Sequence, residues 1–198
     1  MPDDPVRIVR EEILSDYYYP LKNITFEQRG RDGTPQVESR EVYDSASGAA
    51  VLLYNRPRRS VILTRQFRIG ARLAGHDGFL LEAAAGVLGG ADPAERAIAE
   101  AREETGYTLA HVQPALHLFV SPGATTERLH LFVAEYDPGQ RRDAGGGKPE
   151  EGEDITVVEL DFDDALAMVE RGEIVDAKTV LLLLYLERTI LGRHGEAS

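Results

Sequence analysis

Residues 92–106, DPAERAIAEAREETG, constrain the fold of this chain more than any other stretch. Asp92 is a favoured N-cap residue, and Pro93 suits the first helical position, where its missing N–H is not needed. Gly106 suits the left-handed residue that ends many helices. We therefore predict a helix that begins at Pro93 and ends before Gly106, around which the neighbouring elements must pack.

The end of this helix carries three glutamates, Glu100, Glu103 and Glu104, at i, i+3 and i+4. This spacing places them on one face, where each like-charge pair costs about 0.2–0.5 kcal/mol. An acid in the last turn also faces the negative end of the helix dipole, which costs about 0.3–1 kcal/mol. A bound Mg²⁺ would offset both costs, because it takes oxygen ligands. The alternative is a helix end whose acids point into solvent and pair with Arg96 or Arg102.

The charge balance limits the possible partners. There are 22 Lys and Arg residues against 34 Asp and Glu, which gives a net charge of −12. Nucleic acid and anionic membranes both require a basic surface, so neither is an expected partner. A polyanionic substrate would need local arginines or a bridging cation. The chain has no cysteine, which excludes disulfides, thiolate metal ligands and thiol nucleophiles.

No segment predicts export or membrane insertion. Residues 1–10 lack the apolar core of a signal peptide. Residues 180–186 form the longest apolar run near the C-terminus, and this run is much shorter than the roughly 20 residues that a membrane span needs. We therefore expect a cytoplasmic enzyme.

Short apolar runs predict the strands. Partial alternation around 18–28 and 36–43 flanks a Gly-Arg-Asp-Gly sequence at 30–33, which is typical of a hairpin turn. A second strand, turn, strand pattern covers 50–67. Further strands are predicted at 79–81, 115–120, 129–136 and 155–160, and further helices at about 163–171 and 178–191. Strands mixed with helices indicate a layered α/β fold.

A long loop is predicted at 137–154, DPGQRRDAGGGKPEEGED, which has almost no apolar residue and three consecutive glycines. Loops of this length inside compact domains are uncommon, and they are usually functional or disordered. A functional loop and a solvated acidic excursion are both compatible with this composition.

The segment 86–107, GVLGGADPAERAIAEAREETGY, resembles the Nudix box, G-x5-E-x7-R-E-U-x-E-E-x-G-U, in which U is aliphatic or aromatic. The family's first glutamate falls on Ala91 and its arginine on Ala99, and the spacer after Gly86 is one residue shorter. In the family these two residues support and orient the helix more than they ligate metal. The second half fits position by position, at Glu100, Glu103, Glu104, Gly106 and Tyr107.

Outside the box, the chain is similar to the bacterial GDP-mannose pyrophosphatases, a Nudix subfamily with the same shortened box. The similar segments extend from about residue 13 to 191 and include ILSDYYYPLKNITF, REVYD, GAAVLLYN, RQFR, SPG, AGGG and GEI-x-D-x-KT-VLLL. The resemblance implies a Nudix α/β/α sandwich with a mixed sheet at 45–198. It also implies an N-terminal β-hairpin region at 1–44 that joins a homodimer and contacts substrate.

The same resemblance implies a reaction and a cofactor. The expected reaction is Mg²⁺-dependent hydrolysis of a nucleotide sugar's pyrophosphate, with Mn²⁺ as an alternative cation. For GDP-mannose the products would be GMP and mannose 1-phosphate.

Residue roles also follow from the resemblance. The expected metal ligands are the carbonyl oxygen of Ala85 and the carboxylates of Glu100, Glu104 and Glu153. The expected catalytic residues are Glu103, Glu104 and Glu153. Glu153 is favoured as the base over Glu150 and Glu151, because it comes two residues before a predicted strand. Arg68 is expected to contact phosphate. The substrate-binding positions are Tyr18, Arg40, Glu41, Arg68, Ala85, Gly86, Glu104, Glu127 and Lys178.

Two other functions remain open at this point. An ADP-ribose or ADP-sugar pyrophosphatase would share the metal site and have a different base pocket. A non-catalytic Nudix-fold module would bind a nucleotide without cleaving it, although a pure binder has no need for clustered acids. The sequence leaves open which nucleotide sugar is the physiological substrate and how many metal ions bind.

Overall fold

The computed structural model describes residues 6–192, and these divide into two units. The first comprises 6–47 and 118–128, and the second comprises 48–117 and 129–192. The predicted domains, 1–44 and 45–198, extend beyond the described residues at both ends, and their assignment stays a prediction. Within the described residues, no helix has the length and apolar character needed to cross a membrane.

The first unit contains a three-stranded antiparallel sheet in the order β1-β2-β3. Its strands are β1, Val6–Asp16; β2, Pro20–Arg29; and β3, Pro35–Tyr43. The hairpin turn predicted between β2 and β3 is confirmed. Gly33 has a φ of 83°, and its N–H donates to the carbonyl oxygen of Gly30 at 2.9 Å.

The sequence patterns did not predict strand β1. Its apolar residues come in adjacent pairs, Ile8-Val9 and Ile13-Leu14, instead of alternating with polar ones. The register with β2 shifts between Ile8 and Arg10 and again between Ile13 and Ser15. Each bulge inserts one residue, so the side chains change face within the strand. A search for strict alternation therefore misses β1.

Strands β1–β3 bury little apolar surface. None of their residues is fully buried. Ile8, Val9, Ile13 and Leu14 are all exposed. The sheet of the first unit therefore has little hydrophobic core of its own.

The second unit is built on a mixed sheet in the order β10-β5-β4-β9-β8, to which β6 adds by pairing with β5 and β7 by pairing with β4. Strands β4 and β9 are parallel, whereas β4 is antiparallel to β5 and β7. The strands are β4, Gly48–Asn55; β5, Ser60–Phe67; β6, Phe79–Glu82; β7, Ala84–Val87; β8, Gln113–Phe119; β9, Arg128–Glu135; and β10, Thr156–Asp161.

Helices cover both faces of this sheet, as the predicted α/β/α sandwich requires. They are α1, Ile69–Leu73; α2, Pro93–Thr105; α3, Phe162–Glu170; and α4, Ala177–Leu186, which continues into a π-helical turn, Glu187–Leu191. Helix α2 packs on β4 and β7, whereas α3 and α4 pack together and contact β4, β5 and β6. The fold class is confirmed. Strand β7 and helix α1 were not predicted.

The residues of β4 show how one strand serves both layers. Every residue of β4 is buried. Ala49, Val51 and Leu53 belong to the core cluster that includes Ala97 and Ala101 of α2. Because side chains alternate along a strand, the intervening residues of β4 point to the opposite face. The strand therefore forms the rigid centre against which α2 is held.

Candidate active site and metal centre

Helix α2 forms as the sequence predicts, and it presents two of its acids, Glu100 and Glu104, to the protein interior. Asp92 is the N-cap, and its side chain accepts hydrogen bonds from the N–H groups of Ala94 and Glu95. Gly106 ends the helix with a φ of 78°. Glu100 and Glu104 are each only 2 % exposed. The alternative is therefore wrong in placing these two acids in solvent, whereas the pairing with Arg96 that it included is present.

Glu100 and Glu104 meet the backbone of strand β7. The N–H of Ala85 donates to Glu104 Oε2 at 3.3 Å. A Cβ atom at position 86 would overlap Glu100 Oε1, so only glycine lets this carboxylate lie where it does. Two residues of β7 and two of α2 that the sequence analysis assigned to the site are thus brought together.

Burial shifts the acid–base behaviour of both carboxyl groups. Burial raises the pKa of Glu104 to about 8, and the negative charges of Glu100 and Glu153 add to the effect. Burial also raises the pKa of Glu100 to about 7, although the nearby Arg96 opposes this shift. Removing a carboxylate from water disfavours its charged form unless cations or hydrogen-bond donors replace the water. The protein alone supplies too few of these for the two acids.

Arg96 and Lys148 are the cations closest to this acidic face. Arg96, one turn before Glu100, makes an ionic contact with Glu100 Oε1, and it lies 3.7 Å from Glu103 Oε2. Lys148 Nζ lies 2.9 Å from Glu103 Oε2. From the sequence, Arg96 was predicted only as a surface partner of the acids, and Lys148 was not predicted at all. Arg96 therefore supplies a cation within the Nudix box, in which Ala99 occupies the usual arginine position.

The loop 137–154 caps the C-terminal end of α2. The N–H of Gly146 donates to the carbonyl oxygen of Glu104 at 2.9 Å, and that of Gly147 donates to the carbonyl oxygen of Glu103 at 3.1 Å. Gly145, Gly146 and Gly147 all have positive φ values, which glycine adopts readily. The glycines of this loop therefore pack on α2, whereas its acids Glu150, Glu151 and Asp154 are exposed, as in a solvated excursion.

The same loop carries Glu153 towards the acids of α2. Glu153 Oε2 accepts a hydrogen bond from the N–H of Lys148 at 2.7 Å. Its charge contributes to the raised pKa values of Glu100 and Glu104. Glu150 and Glu151 are exposed, and Glu151 Oε1 lies 3.4 Å from Lys148 Nζ. Glu153 is thus the half-buried glutamate of the three.

A second charged group lies beside these acids, formed by Arg68, Glu82 and Lys178. Arg68 Nε and Nη2 donate to the two carboxylate oxygens of Glu82 at 2.8 and 3.0 Å. Lys178, in the first turn of α4, donates from Nζ to Glu82 Oε2 at 2.5 Å. Arg68 is near enough to Glu104 for its charge to oppose the rise in the pKa of that carboxyl. Arg68 and Lys178 were predicted from the sequence, whereas Glu82 was missed, because one glutamate at a strand end gives no pattern.

Four other predicted substrate-binding residues lie in the first unit. Tyr18, between β1 and β2, is 76 % exposed and packs edge-to-face on Tyr19. Arg40 and Glu41 lie on β3, where Arg40 pairs with Glu38. Glu127 lies just before β9, and its charge contributes to the raised pKa of Tyr19, after burial and the neighbouring tyrosines. Their roles in substrate binding stay predictions.

The donor set of the α2 face fits a hard divalent cation. Glu100 Oε1 is buried and in ionic contact with Arg96, but it accepts no hydrogen bond of normal geometry from any residue in 6–192. Glu104 is buried and carries one long hydrogen bond, from Ala85. Carboxylate and carbonyl oxygens are the ligands that such cations prefer. Among the described residues, no three His, Asp or Glu side chains already converge into a complete metal-binding group. The metal-ligand assignments therefore stay predictions.

Comparison with known proteins extends the similarity over both units. Residues 5–43 match a family model described as the GDP-mannose pyrophosphatase NudK N-terminal domain. The chain is 46 % identical over 187 residues to a protein of Shigella flexneri serotype 5b (strain 8401) and to one of Escherichia coli (strain K12). Each match covers 94 % of this chain and 97 % of the relative.

A third relative, from Cronobacter sakazakii (strain ATCC BAA-894), is 47 % identical over 183 residues, which cover 92 % of this chain and 95 % of the relative. All three relatives are named GDP-mannose pyrophosphatase. The similarity includes α2, β7 and the capping loop, so it covers every element that forms the acidic site of the second unit.

Proposed function

This chain belongs to the GDP-mannose pyrophosphatase family of Nudix hydrolases, and we propose that it hydrolyses the pyrophosphate of GDP-mannose to GMP and mannose 1-phosphate. Like its relatives, the chain is an enzyme of the Nudix hydrolase class. The structural observation that carries the proposal is the pair of buried acids, Glu100 and Glu104, held against the backbone of Ala85 and Gly86. A module that only binds nucleotides gains nothing from two adjacent buried carboxylates, of which Glu100 has the single cation Arg96 beside it and Glu104 accepts one long hydrogen bond.

A divalent cation completes this site in the proposal. Nudix hydrolases generally need such a cation, and we propose Mg²⁺, with Mn²⁺ as the alternative. Glu100, Glu104, Glu153 and the carbonyl oxygen of Ala85 would hold it. When bound, the cation supplies charge neutralisation at the phosphoryl oxygens and favours ionisation of a water molecule.

The remaining steps of the proposed reaction are assigned to side chains of the protein. Glu153 is the proposed general base, and it would take the proton of the attacking water on Oε1, because Oε2 already accepts the N–H of Lys148. Water attack on phosphorus then breaks the bond to the bridging oxygen, which leaves with one of the two phosphates. Glu103 is held by Lys148 at the rim of the acidic face. Glu104 is the third proposed catalytic residue, together with Glu103 and Glu153.

Each unit carries some of the proposed substrate contacts. In the second unit, Arg68 and Lys178 supply positive charge for the diphosphate, and the backbone at Ala85 and Gly86 is close to the reacting group. In the first unit, Tyr18, Arg40, Glu41 and Glu127 are the proposed contacts for the rest of the nucleotide sugar. We also place the protein in the cytoplasm, as expected from the sequence.

The first unit supports the proposal of a homodimer. Ile8, Val9, Ile13 and Leu14 leave β1 with exposed apolar side chains along its length. Clusters of exposed apolar side chains mark interaction surfaces. We propose that a second copy of the chain covers this sheet, and that residues 1–44 of one protomer contribute to the active site of the dimer.

A substrate panel tests the proposed reaction. Purified protein with Mg²⁺ is incubated with GDP-mannose, other nucleotide sugars and ADP-ribose, and the products are separated by chromatography. We expect GMP and mannose 1-phosphate, and the highest kcat/KM for GDP-mannose, since this ratio measures discrimination between substrates. A clear preference for ADP-ribose would assign the chain to the ADP-ribose pyrophosphatases. Binding without turnover of any diphosphate would favour a nucleotide-binding module.

A further inference from the structure

Glu82 is a buried carboxylate that joins two cations from different elements. It ends strand β6 and is 2 % exposed. One of its partners, Arg68, directly follows β5, and the other, Lys178, lies in the first turn of α4. Both carboxylate oxygens are engaged, at distances of 2.5 to 3.0 Å.

Stability alone does not account for such a group. Taking a carboxylate and its partner cations out of water is costly, and well-packed apolar residues in the same place are often as stable or more stable. A buried carboxylate that makes three charge-assisted hydrogen bonds does, however, fix the orientation of its partners. Its clearest physical effect here is to order two long, flexible side chains.

Lys178, on the α4 side of Glu82, is also held in place by its neighbours. Asp176 Oδ1 lies 3.0 Å from Lys178 Nζ, and Asp176 Oδ2 accepts the Thr179 hydroxyl at 2.6 Å. The Thr179 hydroxyl oxygen in turn accepts the N–H of Ala83, the residue after Glu82, at 2.7 Å. Thr179 is fully buried. The N-terminus of α4 is thus tied to the end of β6, so that Lys178 and Glu82 keep a constant separation.

Arg68 is held by one edge of its guanidinium group. The Nε and Nη2 atoms bind Glu82, and Nη1 takes no part in this pair. The Arg68 side chain is 42 % exposed, whereas that of Glu82 is 3 % exposed. The cation is therefore anchored from the interior and remains partly accessible to solvent, and its charge also acts on Glu104.

We propose that Glu82 is a positioning residue, which orients Arg68 and Lys178 for the diphosphate of the substrate. The inference rests on the proposed function, in which these two cations contact the substrate. Glu82 itself would touch neither substrate nor metal. Its loss would leave the two cations mobile and would weaken substrate binding more than the chemical step.

A double-mutant cycle tests this role. Hydrolysis of the best nucleotide-sugar substrate is measured at saturating Mg²⁺ for the wild type, Glu82→Gln, Arg68→Ala and the double variant. We expect Glu82→Gln to lower kcat/KM by about tenfold, mainly through KM, and to cost only about twofold in the Arg68→Ala background. Equal losses in both backgrounds, or no loss from Glu82→Gln alone, would overturn the proposal.

Two further variants separate positioning from folding. Glu159→Gln is the matched control, because Glu159 also binds an arginine, Arg58, at 3.1 Å, and the hydroxyl of Tyr136 at 2.7 Å. Its KM should stay within about twofold of the wild-type value. If Glu82→Gln does not fold, Glu82→Asp keeps the charge but shortens the reach. A folded Glu82→Asp variant with unchanged KM would contradict the positioning role.

Calorimetric binding of GDP-mannose to the metal-free protein gives a readout that needs no turnover. The Kd should rise about tenfold in Glu82→Gln and should not change in Glu159→Gln. A wild type that binds GDP-mannose but does not cleave it after Mg²⁺ is added would overturn the proposed function, whereas this binding comparison would still decide the role of Glu82. An unchanged Kd in Glu82→Gln would overturn the positioning role.

Discussion

The carboxylate of Glu100 lies against the backbone of Gly86 so closely that a Cβ atom at position 86 would overlap Glu100 Oε1. The contact joins strand β7 to helix α2, and it brings a backbone segment next to the two buried acids. The position of Glu100 therefore depends on the absence of a side chain at residue 86.

Gly86→Ala should displace Glu100 and impair the site while the rest of the core stays intact. Because misplacing a reacting group by about 1 Å can cost about a hundredfold in rate, we expect a loss in kcat/KM of that order, together with weaker Mg²⁺ binding by calorimetry. Gly70→Ala is the control, since a Cβ atom at Gly70 meets nothing within 4 Å. Wild-type metal affinity in Gly86→Ala would contradict the role assigned to this contact.

The raised pKa values of Glu100 and Glu104 predict a pH-dependent stability of the metal-free protein. A carboxyl whose pKa is higher in the folded chain than in the unfolded chain binds more protons when folded. The free energy of unfolding then decreases as pH rises from the unfolded value, near 4.5, through about 8. We expect a decrease of at least about 1.4 kcal/mol, the equivalent of one pKa unit.

Denaturant unfolding in a chelating buffer at several pH values measures this effect. Glu104→Gln should flatten the profile and raise the stability of the metal-free protein near pH 8, because it removes one buried negative charge. Glu150→Gln, at an exposed position of the loop, serves as the control. A wild-type stability that increases between pH 5 and 8 would contradict the prediction.

Glu153 and Glu151 should differ sharply in their effects on turnover. Glu153 is half-buried and fixed by the N–H of Lys148, whereas Glu151 is exposed. A general base contributes about 10²–10⁴-fold, so Glu153→Gln should lower kcat by at least about a hundredfold at saturating Mg²⁺ and GDP-mannose. Glu151→Gln should change kcat little. Similar small losses in both variants would remove Glu153 from the role of base.

Gly147 should be needed to keep Glu153 in place. A Cβ atom at position 147 would lie 2.5 Å from Glu153 Oε2. Gly152 is a matched control, because its φ of 78° is nearly that of Gly147, 77°, and a Cβ atom there meets nothing within 4 Å. Both alanine variants therefore carry similar backbone strain. Only Gly147→Ala should lower kcat by more than about tenfold, and equal effects would attribute the loss to strain alone.

Removal of residues 1–44 tests the proposed dimer. The exposed apolar residues of β1 predict that the full-length protein is a dimer by light scattering. The shortened protein should be inactive or poorly soluble, because it would lack Tyr18, Arg40 and Glu41 and the proposed interface. A shortened protein that is monomeric and fully active would contradict the dimer proposal.

Local signals were enough to predict the elements whose ends are marked by capping or helix-terminating residues. Helix α2 follows from Asp92, Pro93 and Gly106, each of which acts through its own backbone geometry. Strand β7, Ala84–Val87, was missed because its small residues have weak strand preference, and it forms only by pairing with β4. Strand β1 was missed because its two bulges disrupt the alternating pattern.

The residues of the candidate site also divide into those that local patterns predict and those that depend on the folded chain. The acids of α2 could be predicted because their spacing is local and their crowding is unfavourable without a ligand. The roles of Glu82, Arg96 and Lys148 could not, because each depends on partners brought together by folding. Glu82 and Lys178 are 96 residues apart in the chain, and no periodicity connects them.

Ala85 and Gly86 meet the buried acids through their main chain, and this determines which substitutions each position can accept during evolution. Ala85 meets Glu104 through its N–H, so another small side chain at this position would keep the same contact. Gly86 must lack a side chain altogether. Divergence among relatives should therefore be permitted at the first position and forbidden at the second, although both contribute to one site. Sequence variability at Ala85 would then say little about its importance.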